Sequence, residues 1–388
     1  MDLASKNKCE GITRDKKPFP GLPVLLLWIC FFILFVPNPD LYSEGKENLH
    51  YTSLDFKKVL EITETEDTDF YFKYAKNIDA DVDGNIYVLD SNRILKFSKD
   101  GNFARNMVKV GKGPGEVTYI SDFYLENRNI IIHSNYPSKI IWLDKDGKLL
   151  KEFRINKRDY LDFIQYYNDT YFFYKFEFPM VQSDGKFMDI EHIIMAVSPD
   201  GKDVSKIWTF PIKAYFIRIG GSAGSMDNDA KLNFGITGDR YLFVSHTAEY
   251  KIKCFDLKEG KMIKEFGVDY ERKKIPGEMK DRYKGGKLTL NNKTFRRPQQ
   301  IYFSDIEKLL IHDKHVWAVT STVDKEKGRR VDVYNFNGDY LHTFYMLLPG
   351  QKDIYKFKYR IRVQYLYLID ELEEGMVNIF KYKIGKES

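Results

Sequence analysis

The sequence predicts an all-β fold, and two observations carry that prediction. Aromatic residues make up 15% of the chain, with 29 Phe and 27 Tyr, whereas Ala occurs only ten times in 388 residues. Because Tyr and Phe favour pleated surfaces and Ala is the strongest helix former, this composition disfavours a helical bundle or a doubly wound α/β enzyme. The second observation is a plan of short strands and tight turns that repeats along most of the chain.

The chain begins with a predicted targeting segment. Residues 1–17 form a basic region with five Lys and Arg, and residues 18–39 contain no charged residue. An apolar stretch with a basic N-terminal flank is typical of a signal peptide or a membrane anchor, and it directs the following chain across the membrane. Because no small-residue cleavage site directly follows Val36, we expect an uncleaved transmembrane helix, with a cleaved signal peptide and secretion as the alternative. Residues 40–50 form a linker to an extracytoplasmic domain in the periplasm or at the cell surface.

Residues 51–385 are predicted to form one ring of structural repeats. The stretch 77–103 reads as four short strands, with tight turns at Asp83-Gly84 and Asp100-Gly101. Further copies occupy residues 120–153, 160–208, 231–266, 305–346 and, one strand short, 360–384. Four antiparallel strands are the content of one propeller blade, and a closed ring buries faces that a single blade leaves open. The sequence therefore predicts a six-bladed β-propeller with four-stranded antiparallel blades, in which the alternating strand at 51–63 completes the last blade.

Several of these motifs resemble a known family. Residues 83–90 read DGNIYVLD and residues 111–116 read GKGPGE, and they occur with Arg93-Ile94, Phe97 and Asp100-Gly101. In these residues the chain resembles the six-bladed β-propeller proteins with NHL-type repeats, especially the exported ones of Bacteroidetes-like bacteria, over residues 50–385. The resemblance implies the fold but no single activity, because one fold hosts many functions. Its enzymatic members include lactonase-like, strictosidine-synthase-like and amidating-lyase propellers.

Candidate ligand-binding residues follow from the order of strands in a blade. The loops after the second strands lie on the same face of the disc as the connections between blades, and such longer loops carry function more often than tight turns. On this loop-rich face we expect a ligand-binding site formed by Asp90, Asn92, His133, Asn135, His246, Glu249 and Asp370. The two histidines, with Asp90 or Asp370, would suit a divalent metal ion. Structural or solvated histidines are the alternative, because the sequence has no close-spaced ligand pair.

The positive charge of the chain is concentrated in one segment. The net charge is +5, but residues 272–297, between two predicted blades, hold ten Lys and Arg against two Asp and Glu. This basic insert is predicted to attract an anionic glycan, phosphate or lipid head group, and a solvated loop is the alternative. The candidate residues are Lys273, Lys274, Arg282, Lys284, Arg296 and Arg297. We expect no nucleic-acid partner, because the overall charge is mild.

Two further motifs have a plainer structural explanation. The carboxylates from Asp79 to Asp90 match the spacing of an EF-hand calcium loop, but their flanks read as strands rather than helices. Residues 220–224 read GGSAG, which is the spacing of a nucleophile elbow, but no helical pattern follows. We interpret the first motif as a propeller turn and the second as a Gly/Ser loop.

The sequence favours a binding module over an enzyme. An export signal, a ring fold and the absence of a P-loop, a dinucleotide fingerprint or a paired-Cys zinc site together predict an exported, membrane-anchored propeller. Its expected partner is a glycan, a peptide or an envelope protein. One alternative is a metal-dependent hydrolase or lyase, lactonase-like or amidating-lyase-like, with its site on the loop-rich face. Another alternative is a structural scaffold of an envelope complex.

Overall fold

The computed structural model describes one of the two units into which the chain divides. The units are residues 1–48 and 49–388. The described residues are 51–64, 68–156, 160–226, 231–280, 286–349, 357–372 and 375–385. The predicted basic region, anchor helix and linker therefore lie outside the described residues. Within the described part of the chain, no helix has the length and apolarity needed to cross a membrane.

Strands account for nearly all regular structure in the described residues. They are β1 (Tyr51–Ser53), β2 (Phe56–Thr63), β3 (Ala75–Ala80), β4 (Ile86–Asp90), β5 (Arg93–Phe97), β6 (Phe103–Asn106), β7 (Lys109–Val110), β8 (Glu116–Val117), β9 (Asp122–Glu126), β10 (Asn129–Asn135), β11 (Ser138–Leu143), β12 (Leu149–Arg154), β13 (Asp162–Tyr167), β14 (Thr170–Glu177), β15 (Ser183–Val197), β16 (Val204–Ile219), β17 (Ser222–Met226), β18 (Leu232–Ile236), β19 (Tyr241–His246), β20 (Ile252–Asp256), β21 (Lys261–Phe266), β22 (Lys287–Leu290), β23 (Lys293–Arg296), β24 (Ile306–His312), β25 (His315–Asp324), β26 (Gly328–Asn335), β27 (Tyr340–Met346), β28 (Lys358–Arg362), β29 (Tyr365–Glu371) and β30 (Val377–Ile384). A short 3-10 helix spans Gly277–Met279.

Six sheets form the blades of a β-propeller, so the predicted all-β, six-bladed fold is confirmed. Blade 1 contains β3–β6, blade 2 contains β9–β12, and blade 4 contains β18–β21. Blade 3 contains β13–β17, blade 5 contains β24–β27 with β1, and blade 6 contains β28–β30 with β2. Blades 3 and 5 thus have a fifth strand that the repeat pattern did not predict. The first strands of successive blades, β3, β9, β13, β18, β24 and β28, are neighbours around a closed ring.

The first two strands of the described chain join the last two blades. β2 pairs antiparallel with β30, from Phe56 opposite Ile384 to Thr63 opposite Asn378. β1 pairs parallel with the outer strand β27 of blade 5. The ring is therefore closed by hydrogen bonds between the beginning and the end of the propeller chain, which covers two strand edges.

The hydrophobic core consists of layers between neighbouring blades. For example, Phe344 of blade 5 packs in one cluster with Tyr382 of blade 6. Trp142 of blade 2 packs with Tyr171 of blade 3, and the Trp142 indole N–H donates a hydrogen bond of 2.7 Å to the Tyr171 hydroxyl. Because each sheet is apolar on both faces, the ring buries side chains that an isolated blade would expose to water.

The turns before the outer strands use one recurring hydrogen-bond scheme. In blade 2, the Asp144 carboxylate accepts hydrogen bonds of 2.9 Å from the backbone N–H groups of Asp146 and Lys148. Gly147 in the same turn has φ +84°, a conformation that favours glycine. The equivalent side-chain acceptors in four other blades are Ser98, Ser198, Asp256 and Asn335. These tight turns reverse the chain on the face opposite the long connections.

Candidate functional site

A large cleft lies beside blades 3 and 4. It has a volume of about 1000 Å³ and is lined by residues 207–213 of β16, parts of β19 and β20, and residues 297–302. We call this cavity the side cleft. One wall of the cleft is formed by β16, because β15 and β16, with 15 and 16 residues, are long strands that extend beyond β14. Ser183 to Ile190 pair only with β16, beyond the end of β14.

The two ends of the basic insert, Arg272 and Arg297, line the side cleft together with residues 298–302, which follow the insert. The hairpin of the insert, β22–β23, contacts β17 of blade 3. The Asn291 side-chain amide in its turn donates a hydrogen bond of 3.0 Å to the carbonyl of Ile219, the last residue of β16. A Cβ atom at Gly224 would lie 2.7 Å from the Leu288 side chain, so β17 and the hairpin pack closely there. The hairpin of the insert therefore packs against blade 3.

Two of the predicted ligand-binding residues line the side cleft. His246 ends β19, and its Nδ1 accepts a hydrogen bond of 2.9 Å from the Ala248 N–H, which leaves the proton of the neutral ring on Nε2. Glu249 is exposed and lines the same cavity. Burial lowers the pKa of His246, Arg272 and Lys253 lower it further, and Glu249 acts in the opposite direction. A neutral imidazole in this place can donate a hydrogen bond to a ligand.

Aromatic and basic side chains accompany His246 in the cleft. The rings of Trp208 and Phe210 contact the buried ring of Phe255, with centroid distances of 4.2 and 5.5 Å. The Lys253 ammonium lies 5.7 Å from the centre of the Phe210 ring. The Arg272 guanidinium donates a hydrogen bond of 2.9 Å to Asp305. No sequence motif selected Trp208 and Phe210, although the long alternating pattern of residues 204–219 is a signal for an extended strand.

The basic candidates divide between the cleft and the surface. Arg297 is 7% exposed and lines the side cleft. Lys273 and Lys274 are exposed and do not line the cleft, and Lys273 lies 3.5 Å from Glu271. Arg296 is exposed at the end of β23. Arg282 and Lys284 lie outside the described residues.

Asp90 and Asn92 hold loops in place around blade 1. The Asp90 carboxylate has no exposed surface and accepts hydrogen bonds from the Lys73 N–H at 2.9 Å, from the Tyr74 N–H and from the Arg93 guanidinium. The Asn92 side chain donates a hydrogen bond of 3.1 Å to the Thr118 carbonyl. Both side chains are therefore used by the fold, and neither lines the side cleft.

His133, Asn135 and Asp370 are also buried in the ring. The Asn135 amide group bonds the backbone N–H and C=O of Leu161, both at 3.0 Å. Neither ring nitrogen of His133 has a hydrogen-bond partner among the described residues, and its ring contacts Phe173 at 4.9 Å. Burial lowers the pKa of His133 to about 3, so the ring is neutral. Asp370 is 8% exposed and lies opposite Asn378 in blade 6. The structure does not bring these residues together with His246.

The described residues include no group of three or more His, Cys, Asp or Glu side chains that could hold a metal ion. In the stretch that matches an EF-hand loop, Asp81 instead accepts hydrogen bonds from the N–H groups of Asp83 and Asn85, at 3.0 and 2.9 Å. The GGSAG stretch is the tight connection between β16 and β17, with Ser222 at the start of a strand rather than a helix.

A second, smaller cavity lies among the inner strands. It has a volume of about 180 Å³, and Arg360 and Arg362 line it with side chains from blades 4 and 5. Arg362 donates two hydrogen bonds of 2.6 Å to the Asp79 carboxylate. Burial alone would raise the pKa of Asp79, but Arg362 and Arg360 hold it below its ordinary value. This ion pair joins blade 6 to blade 1 across the closure of the ring.

Comparison with known proteins agrees with the fold seen in the sheets. A family model, DUF5128, described as a 6-bladed beta-propeller, matches residues 46–200, which is less than half of the chain. The comparison with curated proteins found no match.

Solved structures with a similar course of the chain include several bacterial proteins. A member of the duf4221 family from Bacteroides vulgatus has a TM-score of 0.49 at 10% identity, covering 86% of this chain and 99% of its own. A protein described as exported, from Bacteroides fragilis, has a TM-score of 0.43 at 13% identity, with coverages of 89% and 98%. A gluconolactonase from Xanthomonas campestris has a TM-score of 0.40 at 12% identity, with coverages of 80% and 87%. At these values the fold assignment rests on the six sheets and the family model.

Proposed function

We propose that this protein is a ligand-binding module of the cell envelope and that the side cleft is its binding site. The observation that carries the proposal is the cleft itself. Its volume of about 1000 Å³ lies at the upper end of the range usual for ligand pockets. Its lining combines aromatic surface with polar groups such as His246 and Glu249, which is the composition expected of a binding site.

The proposed location rests on the N-terminal sequence. Five basic residues precede the uncharged stretch 18–39, and this order predicts export of everything that follows. We propose that the stretch stays attached as a membrane anchor, and that the repeats are of the NHL type, as the motif DGNIYVLD suggests. Carbonate extraction of membranes tests the anchor. The full chain should stay with the membrane and a chain starting at residue 40 should not, and release of both would contradict the proposal.

Ligand screening by thermal shift tests the binding function. The purified full chain, kept in detergent, is incubated with a panel of neutral and acidic oligosaccharides, short peptides, nucleotides and fatty acids. A ligand at 100 times its Kd stabilises the folded state by about 2.7 kcal/mol, so a true ligand raises Tm measurably. The expected result is at least one class of compound that raises Tm.

A cleft-filling variant assigns the signal to the side cleft. Thr209 is exposed and lines the cavity, so Thr209→Trp should fill part of it without disturbing the core, and should remove the shift. Leu150→Trp is the matched control, because Leu150 is 51% exposed on β12 of blade 2. A panel without any shift, or a shift that persists in Thr209→Trp, would overturn the proposed function.

A further inference from the structure

We propose that the ligand of the side cleft is an acidic oligosaccharide, a short chain of sugar rings that carry carboxylate groups. The inference rests on the proposed function of the side cleft and adds the chemical class of its ligand. Three features of the cleft carry it: an aromatic surface, an excess of cations next to that surface, and hydrogen-bonding groups of both kinds.

The aromatic surface suits the flat faces of sugar rings. Phe255 is 2% exposed at the base of the cleft, and Trp208 and Phe210 rest against it while remaining only half-buried. The face of an aromatic ring carries partial negative charge, which attracts the weakly positive C–H groups of a sugar ring. Because the cavity is large, it can hold more than one such ring.

The cations in the cleft outnumber the carboxylates. Five basic residues line it against two acidic ones, Asp189 and Glu249; the basic residues are Lys213, Lys251, Lys253, Arg272 and Arg297. Two further carboxylates lie close by, since Asp305 binds Arg272 and Glu265 lies 3.4 Å from Lys251 and 3.7 Å from Lys253. The balance stays positive when both are included. A cleft of this sign favours an anionic ligand.

Cations lie over two of the aromatic rings in the cleft. Lys253 is 5.7 Å from the centre of the Phe210 ring, and Arg272 is 4.8 Å from the centre of the Tyr302 ring. A sugar ring packed on the neighbouring aromatic surface, such as Trp208, would therefore have an attached carboxylate close to a Lys or Arg. Such charge-assisted hydrogen bonds are about twice as strong as neutral ones.

Sugar hydroxyls need both donors and acceptors, and the cleft has both. The His246 Nε2–H can donate, whereas the carboxylates of Glu249 and Asp189 can accept. The two acidic residues are thus consistent with a sugar ligand that also carries carboxylates, because each sugar ring offers several hydroxyl donors.

An acidic peptide is the competing ligand, and β16 argues against it. A peptide strand would bind by adding to the edge of a sheet. Pro211 lies in the middle of the stretch of β16 that lines the cleft. Since proline has no backbone N–H to donate, it interrupts the row of donors that an added strand requires.

Isothermal titration calorimetry of the full chain in detergent tests the inference with four probes. These are tetragalacturonate, an alginate tetramer, the methyl ester of tetragalacturonate, and hexaglutamate. We expect at least one acidic tetrasaccharide to bind with Kd below about 1 mM and the methyl ester to bind at least about tenfold more weakly. Binding of neither acidic sugar, equal binding of the ester, or tighter binding of hexaglutamate would each overturn the inference.

A variant that removes one positive charge distinguishes a charge effect from a purely structural one, because only the charge effect depends on the carboxylates of the probe. Lys253→Gln should weaken binding of the acidic sugar about tenfold and leave binding of the methyl ester unchanged. Lys151→Gln is the matched control, because Lys151 lies 4.3 Å from the centre of the Trp142 ring on blade 2, away from the cleft. Equal weakening of both probes by Lys253→Gln would overturn the inference. If neither acidic sugar binds but another compound of the screening panel does, and Thr209→Trp abolishes that binding, the inference fails and the proposed function stands.

Discussion

Blades 2 and 4 use the same position in different ways. Asn135 and His246 both end the second strand of their blade, β10 and β19. Asn135 is buried and bonds Leu161 in the short connection to blade 3, whereas His246 lines the side cleft beneath the long connection to blade 5. In blade 4 the neighbouring Thr247 takes over the bonding, since its carbonyl accepts a hydrogen bond of 2.6 Å from the Asp305 N–H. A long connection thus leaves the end of the strand available for binding, while a short one uses it for the fold.

The largest effect on stability is expected for a strand-end residue that the fold uses internally. Asp90→Ala leaves the Arg93 guanidinium and the backbone N–H groups of Lys73 and Tyr74 without their acceptor. Removing one partner of such a buried pair costs about 3 kcal/mol of the free energy of unfolding. Chemical denaturation monitored by tryptophan fluorescence measures the loss. A loss below about 1 kcal/mol, the usual size for one hydrogen bond, would contradict a structural role for Asp90.

His133→Leu is expected to stabilise the protein by about 1 kcal/mol at neutral pH. The buried imidazole carries the cost of two ring nitrogens that lack partners among the described residues, and an apolar side chain of similar size removes that cost. Denaturation at pH 7.5 measures the difference. A clear loss of stability would instead indicate that the ring nitrogens have a required partner.

His133 should also make the stability of the unsubstituted protein depend on pH, and His133→Leu should remove this dependence. The pKa of His133 is about 3 in the folded protein and about 6.5 in the unfolded chain, so the unfolded chain binds more protons between these values. Stability is therefore complete above pH 6.5 and falls as the pH drops from about 6.5 towards 3, by about 2 kcal/mol at pH 5. His133→Leu should lack this component, so its advantage over the unsubstituted protein should grow from pH 7.5 to pH 5. An advantage that stays constant would show that His133 is not the group that titrates.

The blades were predictable from sequence because their signals are local. A DG, EG or NG pair between alternating strands specifies a tight turn, and Gly101, Gly147 and Gly338 all have positive φ angles. The side-chain acceptors that precede these turns, such as Ser98 and Asp144, are equally local and could have been recognised as a repeated position.

The side cleft was not predictable in the same way, because it depends on distant contacts. Residues 207–213 and residues 297–302 line it together, although they lie far apart in the sequence. The rule of strand order selected His246 and Glu249, which line the cleft, but it also selected Asp90 and Asn135, which the fold uses internally. Contacts with distant segments separate the two groups, since Asp90 binds Lys73 and Asn135 binds Leu161, whereas His246 and Glu249 line the side cleft.

A smaller effect is expected where the basic insert docks on blade 3. Gly224→Val places a Cβ about 2.7 Å from a terminal methyl group of Leu288. The Leu288 side chain must then turn away and lose its packing on β17, which should loosen the β22–β23 hairpin at a cost of about 1 kcal/mol. Hydrogen exchange should then increase in residues 287–296 and not in blade 2. Gly221→Val is the control, because a Cβ there has no heavy atom within 4 Å. Unchanged exchange in Gly224→Val would mean that the packing does not hold the hairpin.

The smallest effect on stability is expected within the cleft itself. Glu249 is exposed and supports no strand, so Glu249→Ala should change the free energy of unfolding by less than about 0.5 kcal/mol. Its effect should instead be electrostatic. Glu249 raises the pKa of His246, so its removal should move that pKa further below the ordinary value, which an NMR titration of the histidine ring measures. Loss of stability close to that of Asp90→Ala, with an unchanged His246 titration, would place Glu249 among the structural residues and remove the contrast between blades 2 and 4.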